Sequence, residues 1–446
     1  MRIPSTSSTH LTLALLAGAL AAACGDAEPV TDEPPVDQPP VVEPPVEPPP
    51  APECQVNADC GDEAAPYCDA SGSCAPPPIG GAIGWGEGTP QSVGFETVHV
   101  AMFAEAEQST DLAFSPLNPN EMWVLHRYAP NDQPCLRNGL RTGCAALRGS
   151  TTTVFDVGLE TQSERWVMDY NAWHFMRRPP AIAFGVDGFF ATCGEARTGN
   201  FLDPGGADFM GPSLWTSDPS IYQNYTPATI PSLANGQPWN GSHMDMLHAT
   251  PFCMGIAHDR GNAYWVANGN VGSLDHYDFK ADHGPGEADH SDGEIRRYVP
   301  GTLTRVPNVP GHLAVHEGKV YAADTGGGRI VVLDPSGAAP AGPIVPQYEP
   351  LALSQTLSGG TVSELVPPGS GLVQPSGLEI HDGVVYVSDH QTSEIHAFDL
   401  EGQLLRSLRT GLPPGSLGGI AVNPADGKMY FVDIPSAAVV RIDPNP

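Results

Sequence analysis

The chain has 446 residues and a formal net charge of −31, with 20 Lys and Arg against 51 Asp and Glu. This balance excludes nucleic acid and an anionic membrane surface as partners, because recognising phosphate needs clustered cations. With Gly 50, Pro 48, 16% charged and 40% hydrophobic residues, the composition points to a turn-rich all-β protein with a sizeable core rather than a helix bundle.

In chain order, Arg2 precedes the apolar run LTLALLAGALAAAC, which is too short to span a bilayer as a stable helix but suits a signal-peptide core. The small residues Ala21 to Ala23 meeting Cys24 resemble a bacterial lipoprotein lipobox, with Ala21 where Leu is usual. That resemblance implies cleavage before Cys24, lipidation of Cys24, and a place outside the cytoplasm, at the outer membrane or surface of the cell envelope. The membrane is then touched only through the lipid. Residues 25–53 are acidic and Pro-rich, without Lys or Arg, and read as an extended, self-repelling linker. Residues 54–78 carry Cys54, Cys60, Cys68 and Cys74 in too short a stretch for a core, so two disulfides are expected; four thiolates on zinc are the alternative. The spacing is similar to small cysteine-rich modules of extracellular lipoproteins.

From residue 79 on, a repeat governs the chain. DLAFSPLNPNEMWVLH, AIAFGVDGFFATC, GIAHDRGNAYWVAN, HLAVHEGKVYAAD, GLEIHDGVVYVSD and GIAVNPADGKMYFVD each read as strand, turn, strand, and their intervals lie in or above the propeller-blade range. Third strands follow in most (TTVFDV, LDHYDF, RIVVLD, EIHAFD, VVRID), and weaker fourth strands appear in EIRRYV and QLLRSLRT. This predicts an all-β, six-bladed β-propeller over 79–446, preceded by the small disulfide module. The strand VGFETVHVAM, 93–102, is expected to close the ring and remove its free edge. GKVYAADTGGGRIVVLD and GVVYVSDHQTSEIHAFD resemble NHL repeats, best over 310–446 and loosely over 108–300.

In register, the second and fourth slots of each first strand are apolar and read as core, while the first and third are mostly Gly or Ala. Asp111, His312 and Glu379 break that rule, and their side chains are expected to reach the central channel. His316 and His381 fall in the far-face turn and His258 in a core slot, so these read as structural. His126 ends a second strand, His174, His243 and His248 sit in incoming loops, and His390 follows Asp389, which together with His312 puts six imidazoles on one face. Zinc or copper would suit such a set. The layout resembles the peptidyl-α-hydroxyglycine α-amidating lyases, six-bladed enzymes whose axial zinc is held by histidines; His312 is the position that matches. Cys193 and Cys253 fall on one face of neighbouring blades and read as a disulfide, and Cys135 with Cys144 as another.

A second cluster, LDHYDFKADHGPGEADHSDGEIRRY, lies between the third and fourth strands of blade three, on the far face or rim. Asp282, Glu287, Asp289 and Asp292 there would offer oxygen ligands to calcium, and His283 with His290 would suit zinc. Nucleophile-elbow, His-Glu-x-x-His and phosphate-loop motifs are absent, so no catalytic residue is assigned. The reading is an extracytoplasmic, lipid-anchored NHL-like propeller that binds a small molecule, peptide or envelope protein at a metal-containing, histidine-rich face. The alternative is a metal-dependent lyase or hydrolase.

Overall fold

The computed structural model describes residues 52–55, 59–61, 65, 67–68, 72–76, 79–104, 107–128, 148–198, 209–225, 228–233, 239–287 and 289–444. The expected lipidation at Cys24, the bridge between Cys135 and Cys144, and nearly all of the linker lie outside them.

The cysteine module is held by Cys54–Cys68 and Cys60–Cys74. A two-residue ladder pairs Tyr67–Cys68 with Cys74–Ala75. All four sulfurs are in disulfides, which removes the four-thiolate zinc alternative.

The rest is a ring of six four-stranded antiparallel blades. Their first strands are Glu107–Phe114, Ile182–Phe184, Cys253–Arg260, Leu313–His316, Pro375–His381 and Leu417–Val422. Second-slot residues Leu112, Ile182, Ile256, Leu313, Leu378 and Ile420 are buried between blades. Most fourth-slot residues are only half-buried, and they line the axial cavity instead. The small residues beside them are a packing requirement. A Cβ on Gly255 would lie 2.2 Å from the Gly311 carbonyl oxygen, and one on Gly419 2.1 Å from Asp111 Oδ1, so first strands can crowd the axis only where they carry no side chain.

Blade six takes its outer strand from upstream: Gly94–Val100 pairs antiparallel with Ala438–Asp443. Val98 then packs with Leu112 and Val124 of blade one and with Val432 and Val439 of blade six. A buried valine of this kind is worth about 1.5–3 kcal/mol, so closure adds core as well as ladder hydrogen bonds.

Two features depart from the register drawn from the sequence. His243–Met246 forms the outermost strand of blade two, paired with Ser213–Thr216, rather than a loop into blade three. Blade four carries an insertion before its outer strand Thr361–Val366: Ala339–Pro343 and Leu353–Ser358 form a hairpin, and Leu353–Ser358 pairs in parallel with Glu294–Tyr298 of blade three. Blade three is thereby extended to six strands.

Candidate functional site

The ring encloses an axial cavity of about 410 Å³ walled by the first strands of all six blades. Asp111, His312 and Glu379 all line it. Asp111 and His312 belong to opposite blades, and His312 Nδ1 lies 3.4 Å from Asp111 Oδ1. Asp111 also accepts the backbone N–H groups of Leu112 and Ile182, each at 2.8 Å, the latter from the next blade. His312 Nε2 is buried without a hydrogen-bond partner. Burial raises the Asp111 carboxyl, with His312 and the two N–H groups opposing. Burial, and then the charge of Asp111, push Glu379 up to about 8. Near neutral pH the Glu379 carboxyl therefore keeps its proton, in the same cavity as the Asp111–His312 pair.

Arginines occupy the face where loops enter the first strands. Arg127 of blade one and Glu195 of blade two are both buried, with Arg127 Nη1 3.2 Å from Glu195 Oε2. Arg305 Nη1 donates to Glu195 Oε1 at 2.6 Å, as does the Asn308 N–H at 2.8 Å. Arg127 Nη2 donates to the Asn308 carbonyl at 2.6 Å. This network ties the loops of blades one, two and four. Burial lowers Arg127 to about 10, with Glu195 opposing and Arg178 adding to the fall. The sequence pattern pointed to imidazoles on this face and not to these arginines. The available signal was that a chain with only 20 Lys and Arg places Arg127, Arg177, Arg178 and Arg305 at strand ends and loops of one face.

The six imidazoles expected to converge do not. His126 is buried inside blade one, its Nδ1 3.1 Å from Ser109 Oγ and its Nε2 2.9 Å from Thr152 Oγ1. Burial and neighbouring His99 hold it well below the usual histidine range, and neither nitrogen is left for an ion. His390, just after the second strand of blade five, bonds the Leu417 carbonyl of blade six at 2.8 Å. His312 stays on the axis, while His174, His243 and His248 gather on the rim. Among the described residues no set of three close His, Cys, Asp or Glu donors lies on the axis. Neither the three-histidine zinc centre that the lyase resemblance implies nor a copper set of the same imidazoles is assembled on the axis among the described residues.

The rim between blades two and three brings together parts that the sequence kept separate. His243 stacks on Phe175 at 3.6 Å, and His248 on Phe209 at 3.7 Å. His248 also hydrogen-bonds Glu349 from the blade-four insertion. The His248 ring lies 6.2 Å from that of His174 and 5.9 Å from that of His290. Burial, then the charges of His174 and His290, hold His243 well below its ordinary range. Burial also lowers His248, with Glu349 opposing. At the centre is Asp245, which sequence reasoning passed over: its side chain is wholly buried, with His290 Nδ1 2.7 Å from Oδ1 and His283 Nδ1 3.6 Å from Oδ2.

The 281–292 segment thus contributes His283, His290 and Asp292 to this rim. Asp282 and Asp289 are exposed, and Asp289 accepts the Ser291 N–H at 3.0 Å. Glu287 instead borders a cleft of about 310 Å³, formed with His283, Tyr225, Leu233 and Trp239. An all-oxygen calcium site in this loop is not assembled among the described residues. Cys193 and Cys253 are bridged, joining blades two and three on the loop face.

No family profile and no curated protein matches the chain. Among solved structures, a luciferin-regenerating enzyme is 12% identical and covers 79% of this chain and 95% of its own, with a TM-score of 0.43. An auxiliary nutrient binding protein from Bacteroides ovatus is 10% identical over 78% of this chain and 76% of its own, TM-score 0.41. Glutaminyl cyclase from Myxococcus xanthus is 17% identical over 59% and 89%, TM-score 0.30. At these values the likenesses carry no functional argument.

Proposed function

We propose that the protein is an extracytoplasmic NHL-like propeller, anchored to the bacterial envelope through Cys24 and its acidic linker, that binds a small cationic molecule in the axial cavity. The convergence of Asp111, His312 and Glu379 in one cavity of about 410 Å³ carries this reading. The volume suits a small ligand, and a few convergent polar groups between apolar walls are the usual makeup of such a site. The negative charge of the whole chain favours a cation, and the confined axis favours a small molecule over a peptide or envelope protein. Lipid anchorage rests on the Cys24 motif, and mass analysis of the mature N-terminus in the native host tests it.

Thermal shift of the purified propeller against a panel of amines tests the binding. At a hundred times its dissociation constant a ligand adds about 2.7 kcal/mol of stability, so a hit reads as a clear rise in Tm. The rise is expected in wild type and lost in His312→Ala and Glu379→Gln. No rise with any amine, or an equal rise in both variants, refutes the reading.

A second reading, lyase or hydrolase chemistry, draws on His312 itself. Asp111 faces its Nδ1, and Nε2 is partnerless. Such a pair takes a proton at Nε2, with the protonated Glu379 as the complementary acid. Turnover that disappears in His312→Ala while the amine still binds would favour it.

A further inference from the structure

We infer that blades two and three share a zinc-class metal centre on the outer rim, built on Asp245, His283 and Asp292 and separate from the axial cavity. One donor atom of each residue lies within 4.8 Å of the other two. Asp245 stands on the outer strand of blade two, and the others on the 279–293 connection of blade three. That connection is fixed to the strand by the Gly286 N–H donating to the His243 carbonyl at 2.8 Å.

The hydrogen bonding around Asp245 is one-sided. Its Oδ1 accepts both the Met246 N–H at 2.6 Å and His290 Nδ1 at 2.7 Å. Its Oδ2 is buried and accepts nothing. Leaving a buried acceptor unsatisfied is costly, and a carboxylate oxygen more so. Facing it, His283 Nδ1 is also buried without a hydrogen bond. The two atoms are 3.6 Å apart. That is long for a hydrogen bond, but close to the roughly 3.4 Å between two ligand atoms on a tetrahedral ion with bonds of about 2.0–2.1 Å.

The surroundings fit the same ion. His290 holds the Asp245 carboxylate so that Oδ2 faces His283, the arrangement in which an outer partner orients a ligand. Asp292 completes the group of three on its solvent side; its Oδ1 now lies 3.2 Å from His283 Nε2, the ring nitrogen facing away from an ion held at Nδ1, so Asp292 must turn to join that ion. A mixed imidazole and carboxylate set favours zinc and its neighbours over calcium or magnesium, which take oxygen. His283 also lines the 310 Å³ cleft beside Trp239, which gives an ion its route in.

The test uses the full-length protein, stripped with chelator, reloaded with Zn²⁺ alone and desalted, with metal counted by mass spectrometry. One retained zinc per chain is expected. It should be lost in Asp245→Asn and His283→Gln and kept in Asp289→Asn and His312→Ala, and His290→Ala should weaken affinity about 10–100-fold. Absence of retained zinc, its survival in both ligand variants, or its loss with His312→Ala overturns the inference. Because Asp245 is buried and its variant can misfold, a second readout uses wild type: carbethoxylation of His283, mapped by peptide mass. Zinc should protect that ring, and equal modification with and without zinc rejects the site.

Discussion

Asp111 and His312 meet on the axis from opposite blades, Oδ1 and Nδ1 3.4 Å apart. Because Asp111 also caps the Ile182 N–H of blade two, one carboxylate joins three blades at the centre of the ring. Its charge reaches Glu379 as well, which makes the cavity sensitive to pH.

Glu379 is raised from 4.5 to about 8. An acid raised on folding contributes stability in full below its unfolded value and loses it as pH climbs to the folded value, because the unfolded chain releases the proton first. Wild-type Tm should therefore fall between pH 4.5 and 8 through this group. Glu379→Gln should flatten that part of the curve and be the more stable protein above pH 8, by on the order of 5 kcal/mol at most. Melting curves across pH measure it; parallel profiles count against the assignment.

Glu195 neutralises Arg127 where both are buried, and also holds Arg305 and Asn308. Glu195→Ala strands the Arg127 guanidinium and should cost about 3–5 kcal/mol in urea denaturation. A loss under 1 kcal/mol would mean water reaches the network.

The Cys193–Cys253 bridge spans 60 residues. Chain-entropy reasoning assigns it about 4 kcal/mol. The double Ser variant should unfold earlier by up to that amount while retaining the blade fold by circular dichroism. Unchanged stability would show that the native contacts of blades two and three already constrain this loop.

Ring closure is testable by removing 93–102, which deletes buried Val98 and His99 and bares the Ala438–Asp443 edge. The truncated protein should melt lower and self-associate in size-exclusion chromatography. Val98→Ala alone should cost roughly 1–3 kcal/mol. A truncation as stable and monomeric as wild type contradicts the topology.

The central architecture was legible because alternation fixes which way a strand residue points. Once the six first strands were in register, Asp111, His312 and Glu379 had to face the axis, and Cys193 had to neighbour Cys253. The same logic failed where strand ends were misjudged. His126 looked terminal, but its strand runs on to Tyr128, which buries the ring. His243–Met246 was hidden because long connections separate the outer strands of blade two. Glu349 and Asp245 lie 101 and 3 residues from His248 in opposite directions, and no local pattern joins an insertion in blade four to an edge strand in blade two. The rim cluster belongs to packing between blades, which periodicity within one blade cannot report.

The seam of blade six also orders folding in time. Arg441 pairs with Glu96 across 345 residues of chain, whereas the ladders within the other blades close much shorter loops. Contacts of such separation are the slowest to form. The ring should therefore pass through a state in which five blades are built and the sixth still lacks its outer strand. During that interval Ala438–Asp443 will accept a matching strand from any copy at hand, so crowding at the site of folding favours exchanged dimers, with the 94–100 strand as the exchanged piece.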